Sequence, residues 1–293
     1  MNAKVASNVT AELGEGPSWD ARTGILYWVD IKGGRIYAHK PGNESDDIVA
    51  STKGVSSVVP RAGGGFALTS RHGFYSLDLK TGRIEPLTEE VEIDLESNKF
   101  NDGKCDPAGR YWAGTMDQTE KSPSGSLYLL EKGSKLKKVL SNITVSNGLG
   151  WSPDHKTMYY IDSPTKKVRS FDYSLPTGEI SNQQVAVDFV RSGQIGDPDG
   201  MAVDNEGMIW VAHWGGGRVT RWNPSKGVLL DTLQIPADQV TSVCFAGENL
   251  DELYITTARD GLDEKTLASK PLAGSLFVSN VGVRGLPTYP FEG

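Results

Sequence analysis

The chain repeats itself, and the repeating unit is too short to fold alone. Six segments share one order: a turn built on aspartate or proline, a short strand, a loop and a second strand. They start at Trp19 (WDARTGILYWVD), Pro60 (PRAGGGFALTS), Cys105 (CDPAGRYWAGTMD), Trp151 (WSPDHKTMYYIDS), Val203 (VDNEGMIWVAHW) and Phe245 (FAGENLDELYITTA), the last resuming at GSLFVSN. The period is roughly 40 to 50 residues, the size of a four-stranded propeller blade. Apolar residues come as short β-branched or aromatic runs between Gly, Asp, Asn and Pro, with no long window at the helical period. Such a sheet is half apolar on both faces, so the sheets must stack around an axis. The expected fold is all-β, a six-bladed β-propeller with four antiparallel strands per blade, occupying residues 1–293 as a single domain. A β-sandwich is the competing architecture, and it gives the turn no reason to recur.

Composition narrows the function. At 293 residues with 38% apolar content, the chain can bury a sizeable core. A net charge of −7 argues against nucleic acid or an anionic membrane as partner, since both need a basic face. The start MNAKVASNVT has no apolar signal region, and no run reaches the length of a membrane helix, so a cytoplasmic protein is expected. Cys105 and Cys244 belong to the third and sixth repeats, which stand opposite one another in a six-fold ring, so both should be free thiols. His39, His72, His155 and His213 read as surface or structural residues, and Trp19, Trp28, Trp112, Trp151 and Trp210 as core.

Counting four positions back from each repeat start gives Glu15, Asn101, Asn147, Asp199, Thr241 and, before Pro60, Ser56 or a neighbour. All are polar, and in a propeller equivalent positions lie on one ring about the axis. Gly16, Gly148 and Gly200 follow directly, and Asn101 is followed by Asp102-Gly103, which fits a backbone that crowds the axis or takes an unusual dihedral. Channel mouths are wet and polar in any case. Two acids aimed at one axis, however, repel unless a cation or a protein donor sits between them. Two carboxylates with two carboxamides and no histidine cluster suit a hard divalent cation, Ca²⁺, Mg²⁺ or Mn²⁺, with Zn²⁺ left open. GxSxG, Walker A, HExxH and CxxC motifs are all missing.

The stretches LGEGPSWD, FNDGKCDPAGRYWAGTMD, VSNGLGWSPDHKTMYYIDS, DPDGMAVDNEGMIWVAHWGGGRV and VTSVCFAGENLDELYITTARDGLD follow one another in a specific order. Through them the chain resembles, nearly end to end, the regucalcin/gluconolactonase family, the senescence marker proteins that also include a luciferin-regenerating enzyme. The resemblance implies a six-bladed propeller with metal-dependent lactonase activity. It implies metal ligands at Glu15 of GEGP, Asn147 of SNGL and Asp199 of PDGM, and a sugar contact at Asn101. The family has an arginine two residues before that asparagine, where this chain has Lys99, a point donor in place of a fork. Animal members also carry a substrate-side glutamate three residues beyond GTM; an ungapped count reaches Thr119, with Asp117 and Glu120 nearby.

The reaction these readings predict is hydrolysis of an aldonolactone to the open sugar acid. One divalent ion is expected, calcium first and zinc, magnesium or manganese as alternatives, polarising the lactone carbonyl and lowering the pKa of a bound water. Asp199 is the expected base and Asn101 and Lys99 the groups that orient ring hydroxyls. The expected partner is a small-molecule lactone, and the protein is expected as a monomer or weak homo-oligomer. The alternatives are a calcium-binding regulator without turnover, a lactonase or esterase for non-sugar lactones, and a propeller used as an interaction platform. A pure calcium buffer has no need of the Asn101 and Lys99 side, and a platform leaves the axial carboxylates without a purpose.

Overall fold

Six four-stranded antiparallel sheets stand around one axis in the computed structural model, which describes residues 2–293. The innermost strands are Gly14–Asp20, Val55–Pro60, Asn98–Cys105, Ser146–Trp151, Asp197–Val203 and Gln239–Ala246, and each touches the next in a closed cycle. Five blades run consecutively from inside to outside. The sixth does not: its outermost strand is Lys4–Thr10, paired with Ser275–Asn280. The repeat points to six blades but gives no sign that the first strand of the chain completes the last of them.

Neighbouring blades are held by large apolar side chains meeting between them. Trp112 and Leu127 of the third blade pack on Trp151 and Tyr160 of the fourth. Each such fully buried side chain is worth about 1.5–3 kcal/mol. The turn aspartates of the repeat serve this packing. Asp106 is fully buried and accepts from Trp112 Nε1 (2.9 Å), Arg110 Nε (2.7 Å) and the Tyr173 hydroxyl of the next blade (2.8 Å). Asp204 likewise accepts from Trp210 Nε1 (3.0 Å) and Arg221 Nε (2.8 Å). A buried carboxylate is tolerated when its lone pairs are filled in this way.

The tryptophans named above are core, as expected, and Cys105 and Cys244 are both free and buried. The histidines are structural. His39 bonds Asp46 (2.7 Å), and His213 lies between Thr220 Oγ1 (2.6 Å) and the Ile195 carbonyl (2.8 Å), where burial pushes its pKa down to about 4. The C-terminal segment crosses one end of the axis, bonding Leu286 N to Val203 O (3.3 Å), Phe291 N to Pro60 O (2.8 Å) and Glu292 N to Gly109 O (2.9 Å).

Every inner strand slips register against its neighbour at the ring position. In four blades two residues oppose one: Gly16-Pro17, Asn101-Asp102, Asn147-Gly148 and Asp199-Gly200. In the other two a single extra residue is inserted, Ser56 and Thr241. A β-bulge leaves residues outside the ladder and bends the strand, which re-aims their side chains. The glycines answer this geometry. Gly16 takes φ +52°, the left-handed region. A Cβ on Gly200 would lie 2.1 Å from Ser242 Oγ and 2.8 Å from Ser242 Cα in the adjoining blade.

We therefore expect Gly200→Ala to destabilise the fold by about 1–3 kcal/mol, the usual cost of overpacking. Because the clash reaches the Ser242 backbone, adding Ser242→Ala should restore only part of the loss. Chemical denaturation midpoints of the single and double variants check both statements.

Candidate active site

Four of the six ring residues, Glu15, Asn101, Asn147 and Asp199, line one cavity of about 590 Å³ at the axial mouth. Asn101, Asn147 and Asp199 lie within two-against-one bulges, and Glu15, paired with Val29, directly precedes the fourth. Ser56 and Thr241, at the single-residue bulges, do not reach it. Ser56 Oγ bonds Thr69 Oγ1 (2.8 Å), and Thr241 Oγ1 bonds the Gly14 carbonyl (2.6 Å) inside the wall. The ring expected from counting is thus four residues wide at the cavity.

Local sequence holds these residues in place. Asp30, which closes the strand ILYWVD, accepts from the backbone N–H of Glu12 and Leu13 (both 3.1 Å) and so fixes the loop leading to Glu15. Asp162 does the same for Thr144 (3.2 Å) and Val145 (2.9 Å) ahead of Asn147. Asn147 Nδ2 donates to Ser163 Oγ (2.9 Å), whose hydroxyl donates to the Pro198 carbonyl (2.7 Å), one residue before Asp199. Asn101 Nδ2 donates to the Ser146 carbonyl (2.9 Å). Asn101 Nδ2 also reaches Asn147 Oδ1 (3.5 Å), so Asn147 Oδ1 keeps one lone pair for the cavity, while Asn101 Oδ1 has no protein donor among the described residues.

The electrostatics are those of an acid cluster without enough countercharge. Glu15 is pushed up to about 8, first by burial and then by the charge of Asp102, although its Oε2 accepts from Gly16 N (2.9 Å). Asp199 is held well above the usual carboxylate range by burial and then by Glu15. Its Oδ1 is buried with no hydrogen-bond partner. Among the described residues no three His, Cys, Asp or Glu gather as a metal cluster, so a cation here would use amide oxygens beside the two carboxylates. The donor set fits a hard divalent cation: oxygen ligands only, one carboxylate oxygen unpartnered, and two acids whose ionised forms oppose each other.

Lys99 lines the same cavity, and burial and Lys32 lower its pKa. Thr119 does not line it; its hydroxyl and backbone N–H both bond Asp117. The carboxylate brought to the wall is Glu120, in the left-handed conformation at φ +59°. Sequence reasoning missed most of the rim. Lys32 pairs with Asp260 and Lys166 with Asp197 across blade boundaries, and Trp214 adds an aromatic wall. No fixed spacing links these residues, since each comes from a different strand end or loop.

Residues 13–259 match the model of the SMP-30/Gluconolactonase/LRE-like region. The chain belongs to that family. Family relatives include the regucalcin of Oryctolagus cuniculus, 42% identical over 287 residues, covering 96% of this chain and 95% of the relative. A luciferin-regenerating enzyme has a similar solved structure, with TM-score 0.91 at 36% identity and all of both chains covered. A regucalcin of Agrobacterium tumefaciens, described as a calcium-binding protein, gives TM-score 0.93 at 28% identity over 99% of this chain and 97% of that one. No helix among the described residues is long and apolar enough to cross a membrane.

A carboxyl whose folded pKa is raised binds more protons in the native than in the unfolded chain, so stability falls as pH rises between the two values. For Glu15 that window runs from about 4.5 to about 8. Chelator-treated protein should therefore lose melting temperature as pH rises through this window, and added Ca²⁺ should restore it most at the upper end. Calorimetry across that pH range, with and without calcium, checks the slope.

Proposed function

We propose that this protein is a metal-dependent lactonase that opens sugar lactones to aldonic acids. The observation that carries the reading is that Asp199, whose buried Oδ1 has no partner, lines the same cavity as Glu15, Asn147 and Asn101. Membership of a family whose description includes gluconolactonase supports it.

Glu15, Asn147 and Asp199 would hold a divalent cation, which supplies Lewis-acid stabilisation for the charge that develops on the lactone carbonyl oxygen. Asp199 takes a proton from the water that attacks the carbonyl carbon. As the ring C–O bond breaks, the same proton goes to the departing alkoxide. Asn101 presents its amide oxygen, and Lys99 and Glu120 present a donor and an acceptor, to the ring hydroxyls. That combination suits a polyhydroxylated lactone better than a plain one. The partners of the Lys32–Asp260 and Lys166–Asp197 pairs neutralise each other at the rim, which leaves Lys99 and Glu120 as the charged groups for the ring hydroxyls and Glu15 and Asp199 for the reacting end. No nucleophilic side chain is needed, because the attacking group is water.

The reading predicts that Asp199→Ala abolishes lactone turnover and weakens calcium binding while the protein stays folded. Removing an uncompensated buried acid should leave the chelator-treated variant at least as stable as the parent. Lactone hydrolysis, calcium titration and melting of the same preparation test it; wild-type turnover in folded Asp199→Ala protein rejects the mechanism. A protein that binds calcium yet turns over no member of a glucono-, galactono-, xylono- and arabinonolactone panel is instead a binding protein.

Specificity should lie with Lys99. Lys99→Ala is expected to lower kcat/KM for the preferred lactone by about 1–3 kcal/mol, on the order of ten- to a hundred-fold, with calcium affinity unchanged. Lys99→Arg should reorder the panel, because a planar fork replaces a point charge. If neither variant changes the ranking, Lys99 is a solvated rim residue.

A further inference from the structure

One buried carboxylate that does not itself line the candidate active site ties together several residues that do. Asp30 is 3% exposed and closes the second strand of the first blade, Ile25–Asp30. Its Oδ1 accepts from Leu13 N (3.1 Å) and Gly33 N (2.9 Å), and its Oδ2 from Glu12 N (3.1 Å). Two pieces of chain meet on it. Residues 11–13 carry the chain from Lys4–Thr10, the outer strand of the sixth blade, to Glu15 in the first. Residues 31–34 form the turn that bears Lys32.

Leu13, Glu15, Ile31 and Lys32, on these two pieces, all line the cavity. Ile31 N donates to the Leu13 carbonyl (2.9 Å), so the pieces also bond one another. The Glu12 peptide extends the tie to the sixth blade: its N–H meets Asp30, and its carbonyl accepts from Arg259 N (3.0 Å). The next residue, Asp260, lines the cavity and pairs with Lys32, which closes the circuit. At Gly33 a Cβ would lie 2.3 Å from Asp30 Oδ2 and 2.7 Å from its Cγ, so the turn can sit on the carboxylate only because that residue is glycine. Asp162 is the counterpart in the fourth blade, opposite the residue before Asn147 as Asp30 is opposite the residue before Glu15. It holds the segment ahead of Asn147 and, among the described residues, no second piece of backbone.

We propose that Asp30 is a positioning residue, which holds Glu15 at the cation end of the cavity and Lys32 with Asp260 at its rim in one fixed arrangement. A buried carboxylate bonded by three N–H groups from two segments fixes the distance between those segments. Its effect on a bound cation rests on the proposed role of Glu15 as a ligand. Partners that orient a metal ligand are typically worth on the order of 10–100-fold in affinity.

Calcium titration of the full-length protein compares Asp30→Ala, Asp30→Asn and Gly33→Ala with Asp20→Ala. Asp20 is 6% exposed at the far end of strand Gly14–Asp20, where it bonds Arg22 Nε (2.9 Å), so its loss costs stability without touching the tie. Asp30→Ala is expected to weaken calcium binding on the order of 10–100-fold, Asp30→Asn and Gly33→Ala by less, and Asp20→Ala not at all. Asparagine keeps an oxygen for Leu13 and Gly33 but turns an N–H on that of Glu12. Hydrogen–deuterium exchange of the same proteins in chelator follows the tie without any metal: Asp30→Ala should lose protection in residues 11–16 and 31–34 together, and Asp20→Ala in neither. Unchanged calcium affinity in Asp30→Ala, an equal loss in Asp20→Ala, or loosening of one segment without the other overturns the proposal. If the parent protein binds no calcium, the proposed function fails and the exchange pattern alone decides the role of Asp30. Should Asp30→Ala not fold, Asp30→Asn and Gly33→Ala carry the same comparisons, the second because it displaces the carboxylate without removing it.

Discussion

A regular β-strand alternates its side chains between two faces of a sheet, so a strand standing parallel to a propeller axis offers the axis few of them. The bulges in the inner strands lift this restriction. Where two residues face one on the neighbouring strand, the bulged pair leaves the ladder, and a polar side chain can turn into the channel mouth. The cavity depends on that irregularity, as does the need for glycine beside it. Gly200 has no room for a methyl group because the bulged strand presses on the next blade. The function of the mouth and the packing of the ring are thus set by the same few residues, and a change that relaxes one disturbs the other.

The acids gathered there illustrate how an active site opposes its own fold. Glu15, Asp102 and Asp199 are buried together, and each resists ionisation. Elsewhere in the chain buried acids are fully satisfied, as Asp106 is by an indole, a guanidinium and a phenol. The difference lies in what surrounds them. Asp106 is closed in by donors from two blades, whereas Asp199 keeps an oxygen that no protein group meets. Unsatisfied polar atoms are rare in native proteins, and where they persist at a cavity they point to something from outside the chain.

Much of this was legible in the sequence because the repeat is metrical. A recurring turn fixed where each blade begins, and a count of four from it found Glu15, Asn101, Asn147 and Asp199. The same count also returned Ser56 and Thr241, which turn into the wall, because a one-residue and a two-residue bulge look alike in a linear string. The rim residues Lys32, Lys166, Asp197 and Asp260 were not legible. They come from segments of unequal length, and only the closed ring brings them together. Glu120 in place of Thr119 is a related case: a local left-handed turn shifts by one residue which side chain faces the cavity.

The pairing of Lys4–Thr10 with Ser275–Asn280 bears on how the protein is made. The first strand leaves the ribosome with no partner and waits until nearly all of the remaining sequence has been synthesised. Through that interval five blades can form and stack, but they make an open arc with an exposed edge at each end. Unpaired edges of this kind recruit other chains. Translation speed through the segment that carries Ser275–Asn280, and any fusion placed ahead of Lys4, should therefore govern the yield of native protein more than changes of similar size in the middle blades.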